Sequence, residues 1–147
     1  ETAETSDWLI GEGLFTDRVK GVALRSMKAP GTAYDDPVLG RDPQPAHMDD
    51  FEDLPHDAEH DNGGVHTNSG IPNRAFYLAA SALGGYAWER AGQIWFDTVT
   101  AKGVPKDIDF AGFAARTVAA ASKRYGTTSE EVTAVEEAWA TVGVVLP

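Results

Sequence analysis

The sequence predicts a mainly α-helical domain in which a loop-rich N-terminal part packs on an antiparallel bundle of about four helices. Three observations support this prediction. Apolar residues recur at helical spacing from Ser69 onwards, Gly and Pro interrupt that pattern at intervals, and Gly, Pro and Asp are frequent in residues 1–60. The length of 147 residues fits one domain.

Residues 1–60 are predicted to form loops with short strands or single turns, because their apolar patches, at residues 8–10 and 22–24, are too short for helices. Residues 42–61 contain many carboxylates and three prolines but no Lys or Arg. This composition predicts an exposed acidic surface loop.

The first predicted helix begins after Ser69 as N-cap, has Pro72 in its first turn and ends at Gly84-Gly85. The second covers residues 86–102 and is stopped by Gly103 and Pro105. Their predicted apolar stripes are Ile71, Ala75, Leu78 and Ala82 in the first, and Trp88, Ala91, Trp95 and Val99 in the second.

The third predicted helix covers residues 109–125 and is closed by Gly126. The fourth begins with a capping box in which Thr128 and Glu131 satisfy each other's backbone donors. Their predicted core positions are Phe110, Phe113, Ala114, Val118 and Ala121 in the third, and Val132, Val135, Trp139 and Val142 in the fourth.

The net charge of −11 argues against nucleic-acid binding and against binding to anionic membrane surfaces, since both require basic patches. No apolar run reaches the roughly 18 residues of a membrane span. The chain contains no cysteine, which excludes disulfides and thiolate metal sites.

The most distinctive segment is residues 61–73, D-N-G-G-V-H-T-N-S-G-I-P-N. It predicts a polar, Gly-rich turn that places His66 just before a helix. Paired glycines permit positive φ and close approach of backbone to a ligand. Asp61 is close enough in sequence to fold back onto the imidazole and fix its tautomer. From the residues alone, a histidine satisfied within a tight turn remains the alternative.

This segment is similar to the D-N-G-G-V-H-x-N-S-G-I stretch of the thermolysin-like neutral zinc metallopeptidases. Three further segments match that family in the same order. These are D-W-L-I-G-E at residues 7–12, L-R-S-M at 24–27, and Y-G-T-T-S-E-E-V at 125–132. The resemblance covers essentially the whole chain and implies the C-terminal, mainly helical domain of that family.

For site residues, the resemblance implies that His66 stabilises the tetrahedral oxyanion formed during peptide hydrolysis and that Asp61 orients it. Arg25 matches an arginine that binds a substrate carbonyl. Ile10 and Leu24 match positions lining the apolar pocket after the scissile bond. For Arg25, a structural ion pair is the alternative reading.

The family's zinc-binding H-E-x-x-H motif is absent from this sequence. The resemblance therefore implies that the zinc ligands lie in a separate N-terminal domain, that this domain is the partner of residues 1–147, and that the isolated chain is inactive. Peptide or protein substrates and secretion are further expectations from the family. The alternative is a stand-alone helical binding module derived from such a protease.

Calcium is the point at which the sequence departs from the family pattern. Asp7 and Glu12 remain as possible residual ligands, but Leu9, Gly13 and Val22 replace carboxylates. Because calcium takes six to eight oxygen ligands, we expect a degraded site.

A second metal hypothesis comes from residues 56–60, which fit the inverted zinc motif H-x-x-E-H. That motif needs both histidines on one face of a helix. Pro55 precedes the segment and Gly63-Gly64 follows it, so the sequence disfavours the helix.

Overall fold

The computed structural model describes all 147 residues and confirms a mainly helical fold with small antiparallel sheets. The chain divides into two compact units, Asp7–Arg74 and a second that combines Glu1–Ser6 with Ala75–Pro147. The strands are β1 (Leu9–Ile10), β2 (Arg25–Ser26), β3 (Asp35–Asp36) and β4 (Gly40–Arg41). The helices are α1 (Asp61–Asn68), α2 (Gly70–Leu83), α3 (Ala91–Thr100), α4 (Phe110–Tyr125) and α5 (Glu130–Thr141). None of the helices is both long and apolar enough to cross a membrane.

The Asp7–Arg74 unit contains two short antiparallel ribbons and two 3₁₀ turns, Met48–Asp50 and Ala58–His60. In the first ribbon, Ile10 of β1 lies opposite Arg25 of β2. In the second, Asp36 of β3 lies opposite Gly40 of β4. The predicted short strands are therefore present, although each spans only two residues.

Buried polar side chains stabilise this unit. The prediction that residues 42–61 form a solvated acidic loop is therefore wrong for the first residues of that loop. Asp42 is 4% exposed, and its carboxylate accepts the backbone N–H groups of Gly31 and Ala33 at 3.1 Å. Gln44 is also buried, and its own N–H donates to Asp42. A buried carboxylate is stable when backbone donors replace its water. The remainder of the loop, from residue 46 onwards, is largely exposed.

Asp36 likewise accepts backbone hydrogen bonds, and these join the second ribbon to the preceding loop. Its carboxylate accepts the backbone N–H groups of Lys20, Leu39 and Val38. These hydrogen bonds lower the pKa of Asp36 from its ordinary value, that from Lys20 contributing most. The carboxylate form is therefore part of the folded ribbon.

The start of α2 differs from the prediction. Ser69 has helical dihedral angles, and its hydroxyl donates to the carbonyl oxygen of His66 at 2.7 Å. It is therefore not the N-cap, because the helical conformation already begins before it. The predicted end is correct, since α2 stops at Leu83 and both Gly84 and Gly85 adopt positive φ.

The buried face of α2 is formed by smaller residues than predicted. Ile71 and Ala75 are buried, as expected. Leu78 is only half-buried and Ala82 is exposed, whereas Ala79 and Ala80 are buried instead.

The second predicted helix is too long at its N-terminal end. α3 begins at Ala91, and Trp88 lies in the preceding turn, 62% exposed and stacked on Tyr86. A distant contact explains the difference. Arg90 donates to the carbonyl oxygen of Leu83 at 3.0 Å and to Glu131 at 2.7 and 2.9 Å. These contacts hold the segment before Ala91 in a non-helical conformation. Val99, also predicted to be buried, is 59% exposed.

The last two helices have the bounds that their caps predict, with one correction. Asp109 caps α4 by accepting the N–H of Gly112 at 2.7 Å. At α5 the cap is Ser129 rather than Thr128, because the Ser129 hydroxyl accepts the N–H of Val132. The predicted capping box does not form, since the carboxylate of Glu131 binds Arg90 instead. Burial is the largest single influence on Glu131 and raises its pKa, but the hydrogen bond from Arg90, the charge of Arg90 and further hydrogen bonds together lower the pKa from its ordinary value.

The core of the Ala75–Pro147 unit surrounds Trp139, which is fully buried. Its ring stacks on Trp95 and meets the edge of Phe113, and its indole N–H donates to the Thr117 hydroxyl at 2.9 Å. α4 therefore contributes a buried hydroxyl that the apolar periodicity did not indicate. The predicted stripe of α5 is buried at Val132, Val135, Trp139 and Val142.

Candidate functional site

The first half of α1, which precedes His66, departs from right-handed helical geometry and forms a left-handed turn of four residues. Asp61, Asn62, Gly63 and Gly64 have φ values of 56°, 48°, 85° and 72°. Asp and Asn tolerate this conformation better than other side chains, and Gly adopts it freely. The predicted Gly-rich turn is thus present, and it reverses the chain so that Asp61 comes back to His66.

Asp61 binds His66 through both of its carboxylate oxygens. Oδ2 accepts the backbone N–H of His66 at 2.7 Å, and Oδ1 forms a short hydrogen bond with Nδ1 of the imidazole. The hydrogen bond from His66 lowers the pKa of Asp61 from its ordinary value of 3.8. The carboxylate therefore fixes both the backbone and the ring of His66, and an Nδ1–H donor leaves Nε2 at the outer edge of the ring.

The side chains of His66 and Asp61 differ in how far they are exposed to solvent. The His66 side chain is 78% exposed, whereas that of Asp61 is 29% exposed. No hydrogen bond or ion pair involves Nε2 of His66. The ring is thus held from its Nδ1 side and open at Nε2, so it can donate or accept a proton at a bound molecule.

Two buried side-chain amides, which the sequence did not indicate, anchor this turn by hydrogen bonds. Gln44 Nε2 donates to the His66 carbonyl oxygen at 2.9 Å and to the Ser69 hydroxyl at 2.7 Å. Asn68 binds both backbone groups of Glu52, at 3.0 and 2.8 Å. Asn68 lies in the motif itself, but its partner is sixteen residues upstream, and no local pattern points to Gln44.

Gly64 is required at its position for two reasons. Its φ is positive, and a Cβ there would lie 2.9 Å from Nδ2 of Asn68 and 3.2 Å from Cδ1 of Leu54. A side chain would therefore displace the amide that anchors the turn to Glu52.

The other three candidate residues lie on the β1–β2 ribbon. Arg25 is the cross-strand partner of Ile10, and the N–H of Leu24 donates to the Ile10 carbonyl at 3.0 Å. Ile10 and Leu24 are 45% and 43% exposed, which is unusual for two neighbouring large apolar side chains. The Arg25 guanidinium takes part in no ion pair or hydrogen bond, so the alternative of a structural ion pair is not supported.

All five candidate residues, His66, Asp61, Arg25, Leu24 and Ile10, belong to the Asp7–Arg74 unit. The residues of the left-handed turn and those of the β1–β2 ribbon thus lie in the same compact unit.

The possible calcium ligands Asp7 and Glu12 are not gathered into a site. Asp7 Oδ1 accepts the N–H of Leu9 at 2.8 Å, and Glu12 is exposed. No group of three or more His, Asp or Glu side chains in the chain has an arrangement that could hold a metal ion.

The inverted zinc motif at residues 56–60 does not form the helix that it requires. Residues 58–60 form a single 3₁₀ turn capped by Asp57, whose Oδ1 lies 2.8 Å from Nδ1 of His60. The ring of His56 instead packs against Gly63, where a Cβ would lie 2.9 Å from its Cε1.

The model of the family described as thermolysin metallopeptidase, alpha-helical domain, matches residues 1–144. The chain belongs to this family. Its mainly helical fold and its D-N-G-G-V-H segment are thus those of a thermolysin-like domain.

The relatives that the chain matches are proteases by name. The extracellular metalloprotease of Pectobacterium carotovorum subsp. carotovorum is 54% identical over 144 residues, which cover 98% of this chain and 40% of that protein. Protease PrtS of Photorhabdus sp. (strain Az29) is 50% identical, with 98% and 38% covered. The solved structure of the precursor of protealysin, a metalloproteinase from Serratia proteamaculans, is similar with a TM-score of 0.89 and 59% identity, over 99% of this chain and 43% of that one. The chain thus spans about two fifths of these relatives.

The contact between Asp61 and His66 predicts a defined pH dependence of stability. Because the pKa of Asp61 is lowered in the folded state, its carboxylate stabilises the fold above about pH 3.8, and this contribution disappears as the pH falls through the folded-state value. We expect Asp61→Asn to lower the melting temperature at pH 6 and to have a progressively smaller effect as the pH falls below 3.8. Differential scanning calorimetry across that range measures both. A difference between the variant and the wild type that is independent of pH would contradict this prediction.

Proposed function

We propose that this chain is the C-terminal half of a secreted zinc metalloendopeptidase that hydrolyses peptide bonds. Its partner is an N-terminal domain of the same protein, which carries the zinc ligands and the general base. The chain supplies His66 for the transition state and Arg25 for the substrate. The observation that carries the proposal is the imidazole of His66, clamped by Asp61 at Nδ1 and exposed at Nε2.

His66 is suited to act on charge that develops during the reaction. When a peptide carbonyl is attacked, its oxygen becomes an oxyanion, and a donor aimed at that position lowers the barrier. Asp61 holds the ring in place through its hydrogen bond to Nδ1, so that Nε2 stays open. The backbone N–H of His66 donates to the Asp61 carboxylate, and its carbonyl oxygen accepts from the Gln44 side chain. Because the main chain of His66 is fixed in this way, little reorganisation is needed as the charge appears.

Arg25, Ile10 and Leu24 are assigned to substrate binding. The guanidinium offers a planar fork of donors suited to a peptide carbonyl, and it is free of protein partners. The exposed side chains of Ile10 and Leu24 beside it provide an apolar surface for a substrate side chain. This combination fits recognition of the residues that follow the scissile bond.

The metal is assigned to the other half of the protein. The side chains of this chain do not fit a zinc ion, because no cluster of three suitable ligands exists in it. Calcium at Asp7 and Glu12 is likewise unsupported by a ligand cluster, so stabilisation by calcium is not part of the proposal.

The substrate role of Arg25 is tested by substitution in the complete protease. We expect Arg25→Ala to lower kcat/KM for a peptide substrate by about 10- to 100-fold, the loss of a charged hydrogen bond of about 1.5–3 kcal/mol. Arg25→Lys should recover only part of this, since it keeps the charge but not the fork.

Arg41→Ala is the matched control, because Arg41 is an exposed arginine on the other ribbon of the same unit. It should leave kcat/KM unchanged. If Arg25→Ala lowered the melting temperature while kcat/KM stayed at the wild-type value, the residue would be structural and this part of the proposal would fail.

A further inference from the structure

A groove between α3 and α4, in the Ala75–Pro147 unit, is lined mainly by positively charged side chains, although the protein as a whole is acidic. Its volume is about 560 Å³. Four cations line it, Lys102, Arg116, Lys123 and Arg124, together with one carboxylate, that of Asp97. The chain as a whole has 12 Lys and Arg against 23 Asp and Glu. One third of its cations therefore face a single groove in which acids are outnumbered.

The partners of these cations show which of them remain available. Arg124 forms a bidentate pair with Asp97 at 2.8 Å, so one charge of each sign is neutralised. Arg116 donates only to the neutral carbonyl of Gly103. Lys102 and Lys123 form no ion pair or hydrogen bond. The four cations and one carboxylate thus leave the groove with a net charge of +3.

The spacing of the charges selects an elongated ligand. Arg116 and Lys123 are seven residues apart on one helix, which separates them by about 10.5 Å along its axis. An extended polypeptide rises about 3.3 Å per residue and alternates its side chains between two faces, so carboxylates four residues apart lie on one face about 13 Å apart, within reach of both long side chains. The methyl group of Ala120 lies in the same groove and offers an apolar contact to the stems of Glu side chains.

We infer that this groove binds an acidic stretch of another polypeptide, held by Lys102, Arg116 and Lys123 in an extended conformation. The groove residues belong to the Ala75–Pro147 unit and His66 to the Asp7–Arg74 unit, and the inference does not depend on the proposed protease function.

Fluorescence anisotropy with labelled octaglutamate, added to the complete protein, tests the inference. We expect saturable binding that weakens as salt is raised from about 50 to 300 mM, since exposed charges are screened. Octaglutamine should not bind. The double variant K102Q/K123Q should weaken octaglutamate binding at least about tenfold, because it removes two charge-assisted contacts.

The matched control is K28Q/K106Q, which removes the same net charge from two exposed lysines outside the groove and should bind as the wild type does. His66→Ala should also bind normally, which separates this inference from the protease proposal. Equal weakening in both double variants would attribute binding to net charge alone and overturn the inference. Full displacement by equimolar inorganic phosphate would overturn it too, in favour of a small-anion site.

Discussion

Replacing His66 by Ala in the complete protease is expected to lower kcat by about 100- to 1,000-fold, the usual loss of one oxyanion donor. The melting temperature should fall no further than in Asp61→Asn, because the ring is 78% exposed and its only hydrogen bond is to Asp61. The zinc content should be unchanged, since His66 is not a metal ligand in this proposal. Steady-state kinetics, calorimetry and metal analysis measure the three quantities.

The chain contains its own control for this experiment. His60 also pairs through Nδ1 with a nearby carboxylate, that of Asp57, and is also exposed, but it lies outside the proposed site. His60→Ala should retain wild-type kcat. Loss of zinc in His66→Ala would contradict the proposed role, and a loss of zinc or activity in His60→Ala would restore the inverted-motif hypothesis.

The isolated 147-residue chain is expected to hydrolyse no peptide and to bind no stoichiometric zinc. The reason is physical, because no three of its His, Asp or Glu side chains converge on one point. Circular dichroism first establishes that the chain is helical, and a casein assay with elemental analysis then measures activity and metal. Adding the separately produced N-terminal domain should restore hydrolysis if the two halves associate.

One tightly bound zinc per isolated chain, together with hydrolysis that a chelator abolishes, would contradict this expectation. A stand-alone binding module would instead show neither activity by itself nor recovery with any N-terminal domain.

The parts of the fold that could be predicted are those controlled by neighbouring residues. α4 begins after Asp109 and ends before Gly126 because an N-cap acceptor and a following glycine act within one turn. The same holds for the end of α2 at Gly84-Gly85. The left-handed turn at residues 61–64 follows from its Asp, Asn and Gly content, so the position of His66 was accessible from the sequence.

The predictions that were wrong concern segments whose conformation depends on contacts with residues distant in the sequence. Arg90 joins the turn before α3 to Glu131, forty-one residues later, and so both shortens α3 and removes the partner of the predicted capping box. The sequence predicts that Asp42 and Gln44 lie in an exposed loop, but both are buried, and backbone donors at Gly31 and Ala33 satisfy Asp42. Neither contact has a sequence periodicity that could reveal it.

The Asn62-Gly63 step also has a consequence for the chemical ageing of the protein. Deamidation at such a step needs the glycine nitrogen to attack the side-chain carbonyl of the preceding asparagine. Here the N–H of Gly63 donates to the carbonyl oxygen of Pro55 at 3.0 Å, and that of Asn62 to Asp57 at 2.8 Å, so the backbone is not free to rotate into the cyclic imide. The folded turn therefore protects its own Asn-Gly bond. Unfolding would remove that protection, and the resulting isoaspartate would lengthen the main chain between Asp61 and His66.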